Sequence, residues 1–275
     1  MHAEEPVVLF LPAHDEVATV AAVVARAPAE VGGHPVRVLV VDDGSTDGTA
    51  EAAAAAGATV VTVAHAGLGA AVRRGLAEAV DAGAMAVAFC DADGEYDPAE
   101  LARLVGPILA GEADYVVGSR FAGGPRRMRP HRMVGNRVLT GALSLLAGRR
   151  ITDGQSGYRA LSREAAAAAE VVHDFNYAQV LTLDLLAKGF RYTEVPISYR
   201  FRTAGRSFVR LGPYLRQVVP AVYEELRTGA WAPPHLATSA SRSSGATGAL
   251  RPSSPHASLG TAHMTSSSFP SGSTA

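Results

Sequence analysis

Residues 84–98, Ala-Met-Ala-Val-Ala-Phe-Cys-Asp-Ala-Asp-Gly-Glu-Tyr-Asp-Pro, decide how the chain is read. Residues 84–90 are an apolar run of the length of a strand buried on both faces, and the run ends abruptly in carboxylates. Asp91 and Asp93 lie one residue apart, so on an extended chain they project to opposite sides, but a turn at Gly94 can bring both onto one cation. A hard divalent cation takes oxygen ligands, one or two from carboxylates and the rest from phosphates and water. A solvated acidic turn has the same local composition, and the surrounding chain has to decide between the two.

Upstream, residues 6–12 read as a buried first strand, and Ala13-His14-Asp15-Glu16 leads into a helix rich in alanine and valine that ends near residues 26–28. Residues 36–41 form a second strand, followed at once by Asp42-Asp43-Gly44-Ser45-Thr46-Asp47-Gly48-Thr49. Ser45 or Thr46 can cap the next helix, whose alanine run is expected to stop at Gly57. Residues 59–63 are a third strand and 67–82 a third helix; 98–109 follow as a helix with proline at its start, and 114–117 as a fifth strand. This alternation predicts an α/β fold, a mostly parallel sheet with helices on both faces, whose ligands sit at the carboxyl ends of the strands. The segments 13–16, 42–43, 65–69, 91–93 and 118–120 each follow a strand directly and are expected to face one cleft.

Beyond Arg120 the regularity breaks. Residues 121–132 are rich in Gly, Pro, Arg and Met, which predicts a long functional loop, and 136–146 an apolar helix. Asp153-Gly154-Gln155-Ser156-Gly157-Tyr158-Arg159 reads as a polar turn entering a strand, 165–170 and 176–188 as helices with Gly189 stopping the second, and 192–199 as the last strand. Residues 212–227 close the folded part as an amphipathic helix, and from about residue 237 Ser, Thr, Ala, Gly and Pro dominate, a composition expected to be disordered. The expected organisation is a catalytic domain over 1–211, the amphipathic helix within 212–233 and a tail over 234–275.

The 275 residues are 48% hydrophobic with a formal net charge of −1, enough for one large core and without the basic balance of a nucleic-acid binder. The single cysteine, Cys90, rules out an internal disulfide and a cysteine-based zinc site, and its place at the end of an apolar strand reads as a small buried side chain. The N-terminus is acidic and its apolar run is broken by Pro12, unlike a signal peptide, and no stretch has the ~20 apolar residues of a membrane span. A cytoplasmic protein, soluble or peripheral at the inner face of the cell membrane, is the expectation.

Two loops carry nucleotide chemistry. Asp42-Asp43 follows a strand and precedes a helix, where a carboxylate can accept from a ribose hydroxyl or a base N–H, or serve only as a capping turn. Gly67-Leu68-Gly69 partly matches a dinucleotide fingerprint, but the third glycine is absent.

Read together and in order, Pro12-Ala13-x-x-Glu16, Asp42-Asp43-Gly44-Ser45-x-Asp47-Gly48-Thr49, Asp91-Ala92-Asp93-Gly94-x-x-x-Pro98 and Gly118-Ser119-Arg120 resemble the family-2 inverting glycosyltransferases of GT-A fold. Asp153-x-Gln155-Ser156-Gly157-Tyr158-Arg159 and Glu194-Val195-Pro196-Ile197-x-Tyr199-x-x-Arg202-x-x-Gly205-x-Ser207 resemble the branch of dolichyl- and polyprenyl-phosphate mannosyl- or glucosyltransferases. The resemblance implies that Pro12, Ala13, Glu16, Asp42 and Asp43 hold the base and ribose of a nucleoside-diphosphate sugar. Asp91 and Asp93, with Ala92 between them, would lie on the diphosphate and bind Mg²⁺ or Mn²⁺, with Gln155 as a further ligand. Arg120, Arg202 and Ser207 would meet phosphates of donor or acceptor, where a guanidinium makes paired hydrogen bonds. The implied acceptor, polyprenyl phosphate, is already ionised, so alignment and electrostatics should carry the rate, with Asp93, Arg120 and Arg202 at the reacting centre and Asp153 as the base if one is needed.

The sequence departs from that pattern in the third loop, which has His65 and no lysine; His65 reads either as a donor contact or as an exposed loop histidine. Residues 177–179, where relatives often carry an acid, hold none before Asp184. Arginines and aromatics over 200–231 fit a helix lying in a lipid interface, and equally a stripe packed on the protein's own sheet. Two further readings are a transferase with a soluble sugar or glycan acceptor and a catalytically silent nucleotide-sugar binding module.

Overall fold

In the computed structural model, residues 5–122, 130–171 and 177–200 are described. In chain order they form β1 (Val7–Ala13), α1 (Val20–Val24), β2 (Glu30–Val31), β3 (His34–Asp42), α2 (Thr49–Ala55), β4 (Thr59–Thr62), α3 (Leu68–Asp81) and β5 (Ala86–Phe89). A single 3₁₀ turn at Pro98–Glu100 leads into α4 (Leu101–Leu109), then β6 (Tyr115–Ser119), α5 (Pro130–Ala147), β7 (Arg159–Ser162), α6 (Arg163–Ala168), α7 (Tyr177–Ala187) and β8 (Tyr192–Pro196). Arg202, Ser207, the helix expected over 212–227 and the tail lie outside the described residues, as does the middle of the loop expected over 121–132.

The sheet runs β4-β3-β1-β5-β7-β6-β8, with the two-residue β2 paired to the start of β3. From β1 the chain winds outward through β3 and β4, then returns to place β5 on the other side of β1. The order of strands thus reverses between β1 and β5, and in open α/β sheets a ligand crevice opens beyond the carboxyl ends of such a pair. The sheet is mixed: β7 is antiparallel to both β5 and β6, pairing Arg159 with Phe89 on one side and with Val117 on the other. The residues that enter β7 therefore stand level with the carboxyl ends of β5 and β6.

Successive residues of β1 serve two cores. Val8 and Phe10 join one apolar cluster with α3, α5, α6 and α7, while Val7, Leu9 and Leu11 join another with α1, α2 and α4. This is the period-2 alternation of a strand covered on both faces. Phe10 stacks on Phe89 at 4.8 Å, a geometry worth about 0.5–1.5 kcal/mol beyond its buried area. Close packing of α3 on β1 depends on Gly75, where a Cβ would stand 2.5 Å from Phe10 Cε2.

Some local expectations are corrected. The first helix is short, Val20–Val24, because the chain after Ala13 is held by side chains from the next loop instead of by its own helix. Neither Ser45 nor Thr46 caps α2: Gly48, at φ 95°, is its N-cap residue, and Ser45 Oγ accepts from Asp15 N instead. The helix expected from 136 begins at Pro130, using proline's fitness for a first helical turn.

Candidate active site

The loops after β1, β3 and β4 are tied together by Asp43. Its N–H donates to Ala13 O at 2.8 Å, and its buried carboxylate accepts from Ala66 N at 2.8 Å and Gly67 N at 2.9 Å. Its carbonyl accepts from His14 Nδ1 at 2.8 Å and His65 Nδ1 at 3.1 Å, and the two imidazoles stack at 4.3 Å. A carbonyl can only accept, so both rings carry their proton on Nδ1. Among the described residues, His14, Asp43 and His65 are the group whose potential metal-ligand atoms gather within 4.8 Å. The neighbouring bonds lock the same loops: Thr46 N donates to Asp15 Oδ1, Glu16 N to Thr49 Oγ1 and Val17 N to Asp47 Oδ2. Asp42, also buried, accepts from Ser45 N at 3.3 Å. His65, with 66% of its side chain exposed, borders this assembly, while Pro12 and Ala13 end β1 beneath it.

Beyond β5 lies a carboxylate cluster. Desolvation first, then the charges of Asp93 and Glu95, push the Asp91 carboxyl up to about 7; Glu16 adds to this and Arg120 opposes it. Asp93 Oδ1 accepts from Glu95 N at 2.9 Å, closing the turn, and Ala92 is buried beneath. Glu95 was not among the expected site residues. Its carboxylate accepts from Tyr199 OH at 2.8 Å, and its carbonyl from Arg200 N at 2.8 Å. The cluster leans on the turn before β7: Gly157 N donates to Tyr96 OH at 2.8 Å, and a Cβ at Gly157 would stand 2.7 Å from Asp91 Oδ2. Cys90 is fully buried with its thiol pushed up by desolvation, as an inert core side chain should be.

The third part is Arg120 with Asp153. The guanidinium donates through Nε (2.7 Å) and Nη2 (2.9 Å) to the two oxygens of Asp153, and Arg120 N donates to the same carboxylate at 3.0 Å. Asp153 is 0% exposed and Arg120 8%. Burial alone would lower the Arg120 pKa, but Tyr96 and the hydrogen bond and charge of Asp153 outweigh it, so the guanidinium stays charged. Asp153 also accepts from Asn136 Nδ2 at 3.4 Å and Gln155 N at 3.3 Å. The Arg120 guanidinium lies 5.1 Å over the Tyr199 ring, so residues from β6, the turn before β7 and the segment after β8 converge there.

The structure thus groups Pro12, Ala13, Glu16, Asp42, Asp43 and His65 at or just after the carboxyl ends of β1, β3 and β4, Asp91, Ala92 and Asp93 just after β5, and Arg120, Asp153 and Gln155 after β6 and in the turn before β7. A sequence signal for Glu95 existed: it continues the alternation Asp91-x-Asp93-x-Glu95. Tyr96 and Asn136 carried none, because their roles depend on contacts across the fold, and Tyr199 stood only as a position of the motif over 194–207.

The profile of Glycosyl transferase family 2 matches residues 8–168. Glycosyltransferase AglJ of Haloferax volcanii is 34% identical over 211 residues, covering 74% of this chain and 66% of that protein. Polyprenol monophosphomannose synthase of Mycolicibacterium smegmatis is 37% identical over 185 residues, 62% of this chain and 69% of its own. The chain therefore spans about two thirds of the length of these relatives. Among solved structures, glucosyl-3-phosphoglycerate synthase from Mycobacterium tuberculosis, in complex with Mn²⁺, uridine-diphosphate-glucose and phosphoglyceric acid, superposes with a TM-score of 0.61 at 29% identity, covering 80% of this chain and 79% of that one. Sequence profile, relatives and fold agree, and the chain belongs to glycosyl transferase family 2.

Proposed function

We propose that this glycosyltransferase moves a hexose from a nucleoside-diphosphate sugar to the phosphate of a polyprenyl phosphate, with inversion and with Mg²⁺ or Mn²⁺. The observation that carries the reading is the meeting of two opposed groups across one crevice: the carboxylates of Asp91, Asp93 and Glu95 on one side, and a buried, permanently charged Arg120 within electrostatic reach of Asp91 on the other. The carboxylates would hold a cation that offsets the charge of a diphosphate, and Arg120 would hold a second phosphate.

The residues fit a hard divalent cation. Asp91 and Asp93 offer only oxygen donors, the absent side chain at Gly157 leaves space against Asp91 Oδ2, and the Asp91 carboxyl, pushed up by desolvation and then by the charges of Asp93 and Glu95, is one whose ionised form a cation would stabilise. When bound, the ion would offset the charge that builds on the departing diphosphate. Gln155, in the turn that rests on Asp91, is proposed as a further ligand. The Asp43 assembly, with Pro12, Ala13, Glu16, Asp42 and His65, orients the base and ribose; Ala92 leaves room for the diphosphate. Arg120 aligns the acceptor phosphate, whose oxygen attacks the anomeric carbon as the nucleoside diphosphate leaves, which inverts the configuration. Both Asp153 oxygens are engaged by Arg120, so it serves to hold that guanidinium, and an ionised phosphate needs no base. Arg202 and Ser207 complete the phosphate site. The basic and aromatic segment 200–231 brings the enzyme to the cytoplasmic membrane surface where such lipids reside; among the described residues no helix is long and apolar enough to cross a membrane.

A second reading, a soluble acceptor, is favoured by the solved neighbour crystallised with phosphoglyceric acid. One assay separates them. Purified enzyme is incubated with labelled GDP- and UDP-sugars, Mn²⁺ or Mg²⁺, and either farnesyl phosphate or phosphoglyceric acid. Label in the lipid fraction supports the proposal; label in the soluble product alone, or in neither, overturns it.

A further inference from the structure

The turn that presents Asp153 is gripped from two directions by charged side chains that reach neither the carboxylate cluster nor Arg120. From β8, the Glu194 carboxylate accepts from Thr152 N (2.9 Å to each oxygen) and Asp153 N (3.0 Å), and is itself fixed by Tyr192 OH at 2.9 Å. From the first residue of β7, Arg159 holds carbonyls of the same turn: Nε donates to Ser156 O at 2.8 Å and Nη2 to Gly154 O at 3.2 Å. Its Nη1 is committed to Tyr115 OH, Ala178 O and Thr182 Oγ1. Arg159 is 0% exposed, and all its hydrogen bonds go to carbonyls and hydroxyls. A buried guanidinium bound only to neutral acceptors is costly to desolvate, and the turn it holds is where that cost is spent.

We infer that Glu194 and Arg159 are positioning residues for transfer: the carboxylate fixes the amides at the start of the 152–157 turn, the guanidinium fixes its carbonyls, and together they set where Asp153 holds Arg120. The path is continuous, because the Asp153 carboxylate whose amide Glu194 binds is the one that accepts from Arg120 N, Nε and Nη2. Thr152 adds a tie to the end of β6, its Oγ1 lying 2.6 Å from Ser119 Oγ next to Arg120. The kinetic consequence rests on the proposed phosphate-binding role of Arg120; the structural one does not.

The test uses the full chain with Glu194→Ala and Glu194→Gln. Glutamine keeps one carbonyl oxygen for the two amides; alanine removes both acceptors. Amide hydrogen exchange is followed without substrate. In Glu194→Ala, exchange at Thr152, Asp153 and Arg120 should speed up by about tenfold or more, while the nucleotide-side amides of Ala66 and Gly67 stay at wild-type rates. Glu194→Gln should return most of the protection. Arg159→Lys, which cannot span Gly154 O and Ser156 O together, should loosen the same turn. Release of Thr152 and Asp153 without any change at Arg120, or equal loosening of the nucleotide loops, overturns the inference.

The kinetic arm takes farnesyl phosphate as acceptor. In Glu194→Ala, kcat/KM for farnesyl phosphate should fall by about 10- to 100-fold with the dissociation constant of the Mn²⁺–nucleoside diphosphate unchanged. The loss should be strongly non-additive with Arg120→Lys, and additivity would sink the inference. If the wild type transfers nothing to farnesyl phosphate, the proposed acceptor fails, and the exchange data still decide the positioning role.

Discussion

Replacing Asp91 with asparagine should stabilise the metal-free protein while abolishing transfer. An aspartate usually has its folded pKa lowered by partners; here desolvation and the charges of Asp93 and Glu95 raise it from 3.8 to about 7. Between those values the native state binds more protons than the unfolded chain, so stability falls as pH rises through that window. A shift of this size corresponds to at most about 4 kcal/mol at 1.36 kcal/mol per unit. Asp91 retains some exposure, and screening brings the expected penalty to about 2 kcal/mol. For a domain of this size that is a rise of about 4–8 °C in Tm for Asp91→Asn at pH 8 in EDTA, falling to less than half of that near pH 5 and vanishing only below about pH 3.8, where the carboxyl of the unfolded chain is protonated too. Excess Mn²⁺ should reverse the order: at about 100 times Kd it adds about 2.7 kcal/mol to the wild type and little to the variant. Scanning calorimetry at pH 5 and 8, with EDTA or Mn²⁺, reads all four conditions. A lower Tm for Asp91→Asn in EDTA at pH 8, or equal stabilisation of both proteins by Mn²⁺, would refute the reasoning.

Asp153→Ala should cost about 3–5 kcal/mol, because it leaves the buried Arg120 guanidinium without its carboxylate; a urea midpoint within experimental error of wild type would contradict this. Gly157→Ala should remove nearly all transfer and the stabilisation by Mn²⁺, since the new methyl would sit 2.7 Å from Asp91 Oδ2 and 3.1 Å from Tyr96 Cε2; unchanged kcat in that variant would remove the close approach from the account. Gly75→Ala supplies a contrast distant from the chemistry: its methyl meets the Phe10 ring, so stability should drop by about 1–3 kcal/mol while the Kd for nucleoside diphosphate is kept. Loss of nucleotide affinity in proportion to stability would show that the two cannot be separated there.

Much of the fold was legible because strands covered on both faces must be nearly all apolar: residues 7–11, 38–41, 86–90 and 115–117 announce themselves, and each ends at a polar loop. Gly57 and Gly189, predicted as stops, do follow α2 and α7 at positive φ. What was not legible depends on pairing. Nothing in Arg159-Ala160-Leu161-Ser162 states that it runs against both neighbours, since direction is set by the partners on each side. The two-residue β2 is too short to show a period. The helix-capping reading of Ser45 failed because its hydroxyl is taken by Asp15 N, thirty residues away, a competition that no local window contains. On the site, the order of motifs placed Asp43, Asp91, Arg120 and Asp153 near one crevice, yet it could not show that Asp153 gives both oxygens to Arg120, or that Glu95 joins the cluster.

The reversed strand accounts for the division of labour in the site. In the parallel half, β4-β3-β1-β5, only loops that follow strands reach the crevice, and those loops interlock through backbone and Asp43 into one rigid assembly. Had β7 been parallel as well, the residues before it would have emerged at the opposite edge, and Asp153 could not have met Arg120. Inserting one antiparallel strand between β5 and β6 puts a turn that precedes a strand beside two loops that follow strands. That turn is long enough to carry a carboxylate toward β6, a glycine toward Asp91 and carbonyls back into the core. A turn so placed is braced from α5, where Asn136 donates to Asp153 and Thr140 accepts from Gly154 N, and from the strands, where Glu194 and Arg159 hold its amides and carbonyls. The same reversal that builds the phosphate side of the crevice therefore creates the need for its buried supports.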